Sequence, residues 1–459
     1  MKAGYSFLAG LVSAVLLSSP VSAETVKSPD RRIVVDVNRE TGTWNVSYRG
    51  RPLVRKVCSS MTLSSGEEVW VPGHASDPVY DKRVREHVTT SVYRMASFDY
   101  VYNSMSMDLG NGFSIEWRVS DDGVAYRFSS SRDGEIVIDG ETAEFEFARD
   151  CDCLLSCVRN PANPYHTSFE NDYRTVKLSE GSDAPAFLPV SVDAAEGVRV
   201  TLVEADHESY PGMFVRPVAG TSTLRAEFAT YAIREPYIAR TNGARTYPWR
   251  ILKITTDDTQ LPVDNLVYAL SKPSRIEDES WIKPGFSTWD WWCDWQIADV
   301  PFTPGVNTET YKYYIDFAAA NGIEYVLLDE GWGKVGPGRN LLVPIPDVDV
   351  EWLAQYGRTK GVKLILWVMM GVFYPEVESA CERYEKMGIA GFKCDFLDRN
   401  DQQGVDMVYK IAETAARHHL IMDFHGFFPQ KGRAGKRRRV LHQAQKIIAL
   451  PVRSRGRRR

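Results

Sequence analysis

The hydrophobic period of the chain changes once, at Pro284, and that change limits the folds open to it. On the C-terminal side, apolar residues come in nearly continuous runs: Glu324 to Leu328, Lys363 to Met369, Ile389 to Phe396 and His419 to His425. A strand covered on both faces needs apolar side chains on both, so runs of this kind predict parallel strands inside an α/β layer. Between them lie segments with helical spacing and end signals. Asn307 is placed as a cap with Gly322 as its stop, and Asp349 as a cap with Gly361. Pro375 is expected in the first turn of a third helix ending near Gly388, and a last helix runs from about Gln402 to His418. With Gly285-Phe286-Ser287-Thr288-Trp289 as the first strand, five strands are predicted. A doubly wound sheet and a (β/α)8 barrel are both open at this point. No Gly-rich phosphate turn follows the first strand, which removes the commonest nucleotide-binding reading. The barrel would need three further units, and only a basic tail remains.

Before Pro284 the pattern is different. Short alternating runs such as Arg32 to Val37 and Gly197 to Val203 are separated by turns such as Asp108 to Gly112 and Asp121-Asp122-Gly123. Many short strands with frequent turn signals predict a large β-sandwich. A chain of 459 residues, 44% hydrophobic and 25% charged, is long enough for two or more globular domains and is not disordered or fibrous. Lys2, the apolar run Phe7 to Leu17 and the small-residue site Val21-Ser22-Ala23 predict a signal peptide over residues 1–23, and so a secreted or periplasmic protein. That run is shorter than a bilayer of about 30 Å requires. No later segment has eighteen uninterrupted apolar residues, so no membrane span is expected in the mature chain. The seven cysteines are odd in number and scattered, which favours buried thiols over a disulfide framework or a zinc site.

Charge is uneven. The formal net charge is −5, yet residues 424–459 contain twelve Lys or Arg and no Asp or Glu. Residues 429–459 are therefore expected to be a tail of aberrant composition, such as out-of-frame translation would give. A polybasic segment binding nucleic acid or anionic lipid is the alternative; for an exported chain, no nucleic-acid partner is expected.

In parallel α/β folds chemistry gathers at the carboxyl ends of the strands. Those ends carry Asp290 and Asp294 after the first strand, Asp329 and Glu330 after the second, Asp395 at the fourth and His425 at the fifth. Each alone could cap a helix or close a turn. Repeated over several units, five acids and a histidine on one rim suit a substrate rich in hydroxyl groups. Trp289, within the run Ser287 to Trp295, can offer an aromatic face to a sugar ring. Lys393 and Asp395 lie on one side of an extended strand, since side chains alternate. An ammonium beside a carboxylate keeps it ionised. The pair can be a structural ion pair, or the carboxylate can attack an anomeric carbon or stabilise an oxocarbenium-like transition state.

The segments Asn163 to Tyr173, Ser287 to Trp295, Leu328 to Trp332, Gly391 to Phe396 and Asp423 to Gly426 together resemble glycoside hydrolase family 97. The resemblance implies an N-terminal β-supersandwich, here residues 24–283, followed by a central (β/α)8 TIM barrel, here an incomplete one over residues 284–428. It also implies a smaller C-terminal β domain, action on α-glycosidic bonds, and a calcium ion held by carboxylates. The retaining, α-galactosidase-like branch has an Asp nucleophile at the end of the fourth barrel strand, and Asp395 stands there; the inverting, α-glucosidase-like branch has Gly. By the same match Glu170 is a candidate calcium ligand reaching in from the N-terminal domain. Trp289, Asp290, Asp294, Asp329, Glu330, Lys393 and His425 would surround an oligosaccharide or glycoside substrate. In the family, Glu residues beyond the His-Gly pair supply the general acid/base and further calcium ligands. No carboxylate side chain follows Asp423 here, so this chain is expected to lack its acid/base. An α-glucosidase specificity and a non-catalytic glycan-binding protein are the alternatives.

Overall fold

A computed structural model describes residues 23–90, 94–334, 343–426 and 428. Residues 1–22 of the expected signal peptide and the basic tail lie outside the described residues. The N-terminal region forms one network of sixteen strands among the described residues. Its spine is the 25-residue strand Gly123–Phe147. That strand pairs antiparallel with Arg51–Leu63, Phe113–Ser120, Thr223–Phe228, Ala239–Thr246 and Trp249–Thr255. The alternation read from the sequence is the burial pattern. Ile33, Val35 and Val37 of strand Ile33–Asn38 are buried and the residues between them are partly exposed. A pleated strand with one face on a core behaves in this way.

The C-terminal region holds five parallel strands: Ser287–Trp289, Tyr325–Leu328, Lys363–Met369, Gly391–Asp395 and Ile421–Phe424. They are neighbours in chain order from first to fifth. A doubly wound sheet reverses its order at a switch point; this sheet has no reversal. Every residue of Tyr325–Leu328 is buried, which accounts for its unbroken apolar sequence.

Helices Thr308–Ala320, Val350–Lys360, Met370–Met387 and Gln402–Arg417 connect the strands. Asn307 and Asp349 accept hydrogen bonds from the backbone N–H of Thr310 and Trp352, as their spacing predicts, and Gly361 ends its helix in the left-handed region (φ 74°). The third helix departs from expectation. It starts at Met370, directly after the third strand, and Pro375 sits inside it rather than in its first turn. A proline there removes one hydrogen bond to the carbonyl four residues back. The buried face of Met370, Phe373, Val377, Ala380, Cys381 and Tyr384 outweighs that loss. All seven cysteines are free. No helix among the described residues is long and apolar enough to cross a membrane.

The two regions share one apolar core, which runs from Val26 to Phe428. Polar contacts join the N-terminal sheet to the loop after the fourth parallel strand. Thr167 N–H donates to the Asp398 carbonyl (2.8 Å), and Gly212 N–H to the Asn400 carbonyl (2.9 Å). Ala232 N–H donates to Asp401 Oδ2 (2.9 Å), and Gln402 exchanges two hydrogen bonds with the Arg240 backbone. The approach at Gly212 is so close that a Cβ there would lie 2.0 Å from the Asn400 amide. This docking sets the segment carrying Glu170 beside the ends of the fourth and fifth strands.

Candidate active site

Asp395 is the last residue of the fourth parallel strand and is buried. The chain turns at once: Phe396 has φ 60°, and its N–H folds back to donate to Asp395 Oδ1 (2.8 Å). Trp367 Nε1 donates to Oδ2 (3.1 Å), and His425 Nδ1 lies 3.1 Å from both oxygens. Lys393 Nζ is 3.8 Å from Oδ2. Burial pushes the Asp395 carboxyl up, but the His425 hydrogen bond and charge, the Lys393 ammonium and the Trp367 indole together hold it below the usual carboxylate range. His425 gains in return: its hydrogen bond to Asp395, working against burial, raises the imidazole pKa. The pair therefore favours carboxylate and imidazolium.

Lys393 is buried and donates to Asp329 Oδ2 at 2.7 Å. The same oxygen accepts from Trp289 Nε1 (2.6 Å), and the ammonium sits 4.5 Å from the Trp289 ring centroid. Asp329, Lys393, Asp395, His425 and Trp289 thus form one connected group at the strand ends. Glu170 reaches it from the N-terminal region, with Oε1 3.3 Å from His425 Nε2.

Asp290 stands beneath this group. It is 1% exposed and accepts from Trp291 N–H (2.8 Å), Trp295 Nε1 (2.9 Å) and Asp329 N–H (3.2 Å). Its carboxylate ties the turn after the first strand to the end of the second. Burial, with the Asp329 charge adding to it, pushes the Asp290 carboxyl up to about 7 against the backbone N–H groups of Asp329 and Trp291. Asp294 and Glu330 are exposed, and no hydrogen bond joins their carboxylates to the group among the described residues.

Two members escaped sequence reasoning. Asp423 pairs in register with Lys393 across the fourth and fifth strands. Burial pushes its carboxyl up to about 6, against the pull of Lys393 and His425. An acid inside an apolar strand, two residues before His425, was the signal available. Trp367 gave none, because an indole in an apolar run reads as core.

For calcium, about six to eight oxygen ligands are needed. Glu170 is one candidate, and Asp398 Oδ1 is a buried oxygen with no hydrogen-bond partner. No group of three or more candidate ligands converges among the described residues. These residues do not by themselves make a calcium site.

Family models match the chain over both regions: Glycosyl-hydrolase 97 N-terminal over residues 26–273 and Glycoside hydrolase 97 over residues 291–437. The chain belongs to glycoside hydrolase family 97. A retaining alpha-galactosidase of Bacteroides thetaiotaomicron is 36% identical over 442 residues, covering 91% of this chain and 66% of the relative. A probable retaining alpha-galactosidase of Streptomyces bingchenggensis is 28% identical, covering 90% of this chain and 63% of that protein. The chain therefore spans less than two thirds of the length of either curated relative. Among solved structures, a family 97 enzyme of a Pseudoalteromonas species in complex with panose superposes with a TM-score of 0.78 at 20% identity, over 90% of this chain and 67% of that one. A beta-arabinopyranosidase does so with a TM-score of 0.74 at 19% identity, over 90% and 68%. These likenesses establish the fold. They agree with the all-β region followed by a parallel sheet.

Proposed function

We propose that this family 97 chain acts on terminal α-galactosides through a covalent intermediate on Asp395. The observation that carries the reading is the buried carboxylate at the end of the fourth strand, held by His425, Lys393 and Trp367. The 36% identity to a retaining alpha-galactosidase supports the choice of sugar. The sequential order of the five strands supports reading them as part of a (β/α)8 barrel.

In the proposed step Asp395 donates an electron pair to the anomeric carbon while the glycosidic oxygen leaves with the pair of the broken bond. Water then attacks the anomeric carbon of the galactosyl ester, the bond to Asp395 breaks with its electron pair returning to the carboxylate, and the proton shed by the water passes through solvent to the departed oxygen. Asp329 and Lys393 hold the sugar hydroxyls, and the Lys393 and His425 charges keep the nucleophile ionised. Residues 424–459 contain no carboxylate side chain to protonate a leaving group. The proposal assigns no general acid, whose proton transfer is typically worth a factor of about 10²–10⁴, so substrates whose leaving group needs no proton are the ones to use.

Mass spectrometry of the full chain after incubation with a fluorinated α-galactosyl fluoride tests this. An ester on the peptide containing Asp395, absent from Asp395→Asn, is expected; a folded chain left unlabelled at Asp395 refutes it. Labelling by the glucosyl counterpart in preference would move the specificity to α-glucosides. Tight sugar binding with no label would favour a glycan-binding role. On the resemblance alone, Glu170 is proposed as a calcium ligand and the protein as exported. Calorimetric titration of calcium into wild type and Glu170→Gln checks the first, and the N-terminal residue of the mature protein checks the second.

A further inference from the structure

A cleft of about 400 Å³ lies in the seam between the N-terminal sheet and helix Gln402–Arg417. Small-molecule sites commonly measure about 300–1,000 Å³. Strand Ala239–Thr246, the Glu208-Ser209 turn, Tyr231 and Lys272 form one side of it, and Gln402 and Asp406 form the other. Asp329, Lys393, Asp395 and His425 do not line it. Its walls are fixed by protein contacts. Arg245 donates to the carbonyls of Ser209 (3.1 Å), Glu208 (2.8 Å) and Thr246 (3.1 Å). Ser209 Oγ donates to Asp406 Oδ1 (2.6 Å), and Gln402 is held on the Arg240 backbone. A cleft built in this way loses little freedom when it is filled.

Several polar groups of the lining are left over. Tyr231 Oη, the Asn242 amide, Thr246 Oγ1 and Asp406 Oδ2 make no hydrogen bond among the described residues. The Lys272 ammonium stands 3.6 Å from Asp206 and 3.7 Å from Glu208, beyond ordinary hydrogen-bond length. Both signs of charge are present, with Lys272 and Arg245 facing Glu208 and Asp406. A small anion entering the cleft meets two carboxylates, and a small cation meets an ammonium and a guanidinium. A neutral ligand with many hydroxyls avoids both conflicts, because each hydroxyl donates to a carboxylate or accepts from an ammonium or amide. The Tyr231 ring adds an apolar surface for the C–H groups of such a ligand.

We propose that this cleft is a second, non-catalytic binding site for a neutral sugar, which spans the seam and fastens the helix to the sheet. The site goes beyond the reading of Asp395 and does not depend on it. A ligand held by Tyr231 and Asn242 on one side and Asp406 on the other favours the docked junction, so opening of the seam becomes rarer when the ligand is bound.

Hydrogen-exchange mass spectrometry of the full chain tests this, with galactose at about fifty times a Kd of about 1 mM. Exchange in peptides covering residues 206–210, 239–246 and 402–408 is expected to slow by at least about three-fold. Ala244→Trp places a large side chain in the cleft from an exposed position, and Tyr231→Ala removes the ring. Each variant, checked for folding by its thermal melt, is expected to lose that protection while any protection of residues 391–396 and 421–425 remains. Galactosamine and galacturonate, which add a positive and a negative charge to the same ring, are expected to protect the three peptides less than galactose does. Wild-type peptides that galactose leaves unprotected, protection that survives in folded Ala244→Trp, or equal protection by the two charged sugars would overturn the proposal. Labelling of Asp395 by the galactosyl fluoride reports on the glycosidase reading separately.

Discussion

Replacing Lys393 with methionine keeps the length and most of the volume of the side chain but removes its charge. The structure gives the consequence. Asp329 Oδ2 loses a donor at 2.7 Å, and both partners are almost fully buried (side chains 5% and 4% exposed). Asp395 loses a cation at 3.8 Å, and Asp423 loses the cation opposite it in register. Removing one member of a buried ion pair leaves an uncompensated charge and costs about 3–5 kcal/mol. At about 2–4 °C per kcal/mol for a domain of about 150–250 residues, the Tm should fall by roughly 6–20 °C. The pH dependence distinguishes this cause from poor packing. A carboxyl left without its cation has its folded pKa raised above the unfolded one. Its penalty is then complete above the raised value and fades as the pH falls through it. Scanning calorimetry of wild type and Lys393→Met from pH 4 to 8 should therefore show a deficit that is largest at neutral pH and shrinks toward pH 4. A deficit below about 1 kcal/mol, typical of exposed pairs, would refute the assignment of Lys393 as the buried counter-charge. A deficit that does not change with pH would do the same.

Asp423 has a folded pKa of about 6, above its unfolded value, so it costs stability as the pH rises from about 4 to 6. Asp423→Asn should gain about 1–3 kcal/mol relative to wild type between urea denaturations at pH 4 and pH 7, and a difference of the opposite sign would contradict the burial argument. Trp367→Phe removes a donor from Asp395 Oδ2, so the acid limb of the pH profile for labelling Asp395 should move to higher pH. Gly212→Ala should destabilise the junction by about 1–3 kcal/mol through overpacking against Asn400, and Asn400→Gly in the same chain should recover part of that in a thermal melt.

Much of this protein could be read along the chain. The period-two runs before Pro284 and the apolar runs after it separated an antiparallel region from a parallel one, because a half-buried strand and a doubly covered strand need different side chains. Asn307, Asp349 and Gly361 marked helix ends because their side chains, or the lack of one, satisfy backbone groups locally. Asp395, Lys393 and His425 could be singled out because strand ends and alternation are local properties. Four features needed the fold. Sequential strand order, rather than a reversal, depends on which strand pairs with which, and the runs themselves are alike. Asp290, Asp294, Asp329 and Glu330 read as equals, but only packing buries the first and third and leaves the other two in water. Trp367 meets Asp395 across 28 residues. Glu170 meets His425 only because two regions dock through Gly212 and Asn400. Sequence determines what each segment can bury; which distant groups share a charge is decided by contacts that no local pattern encodes.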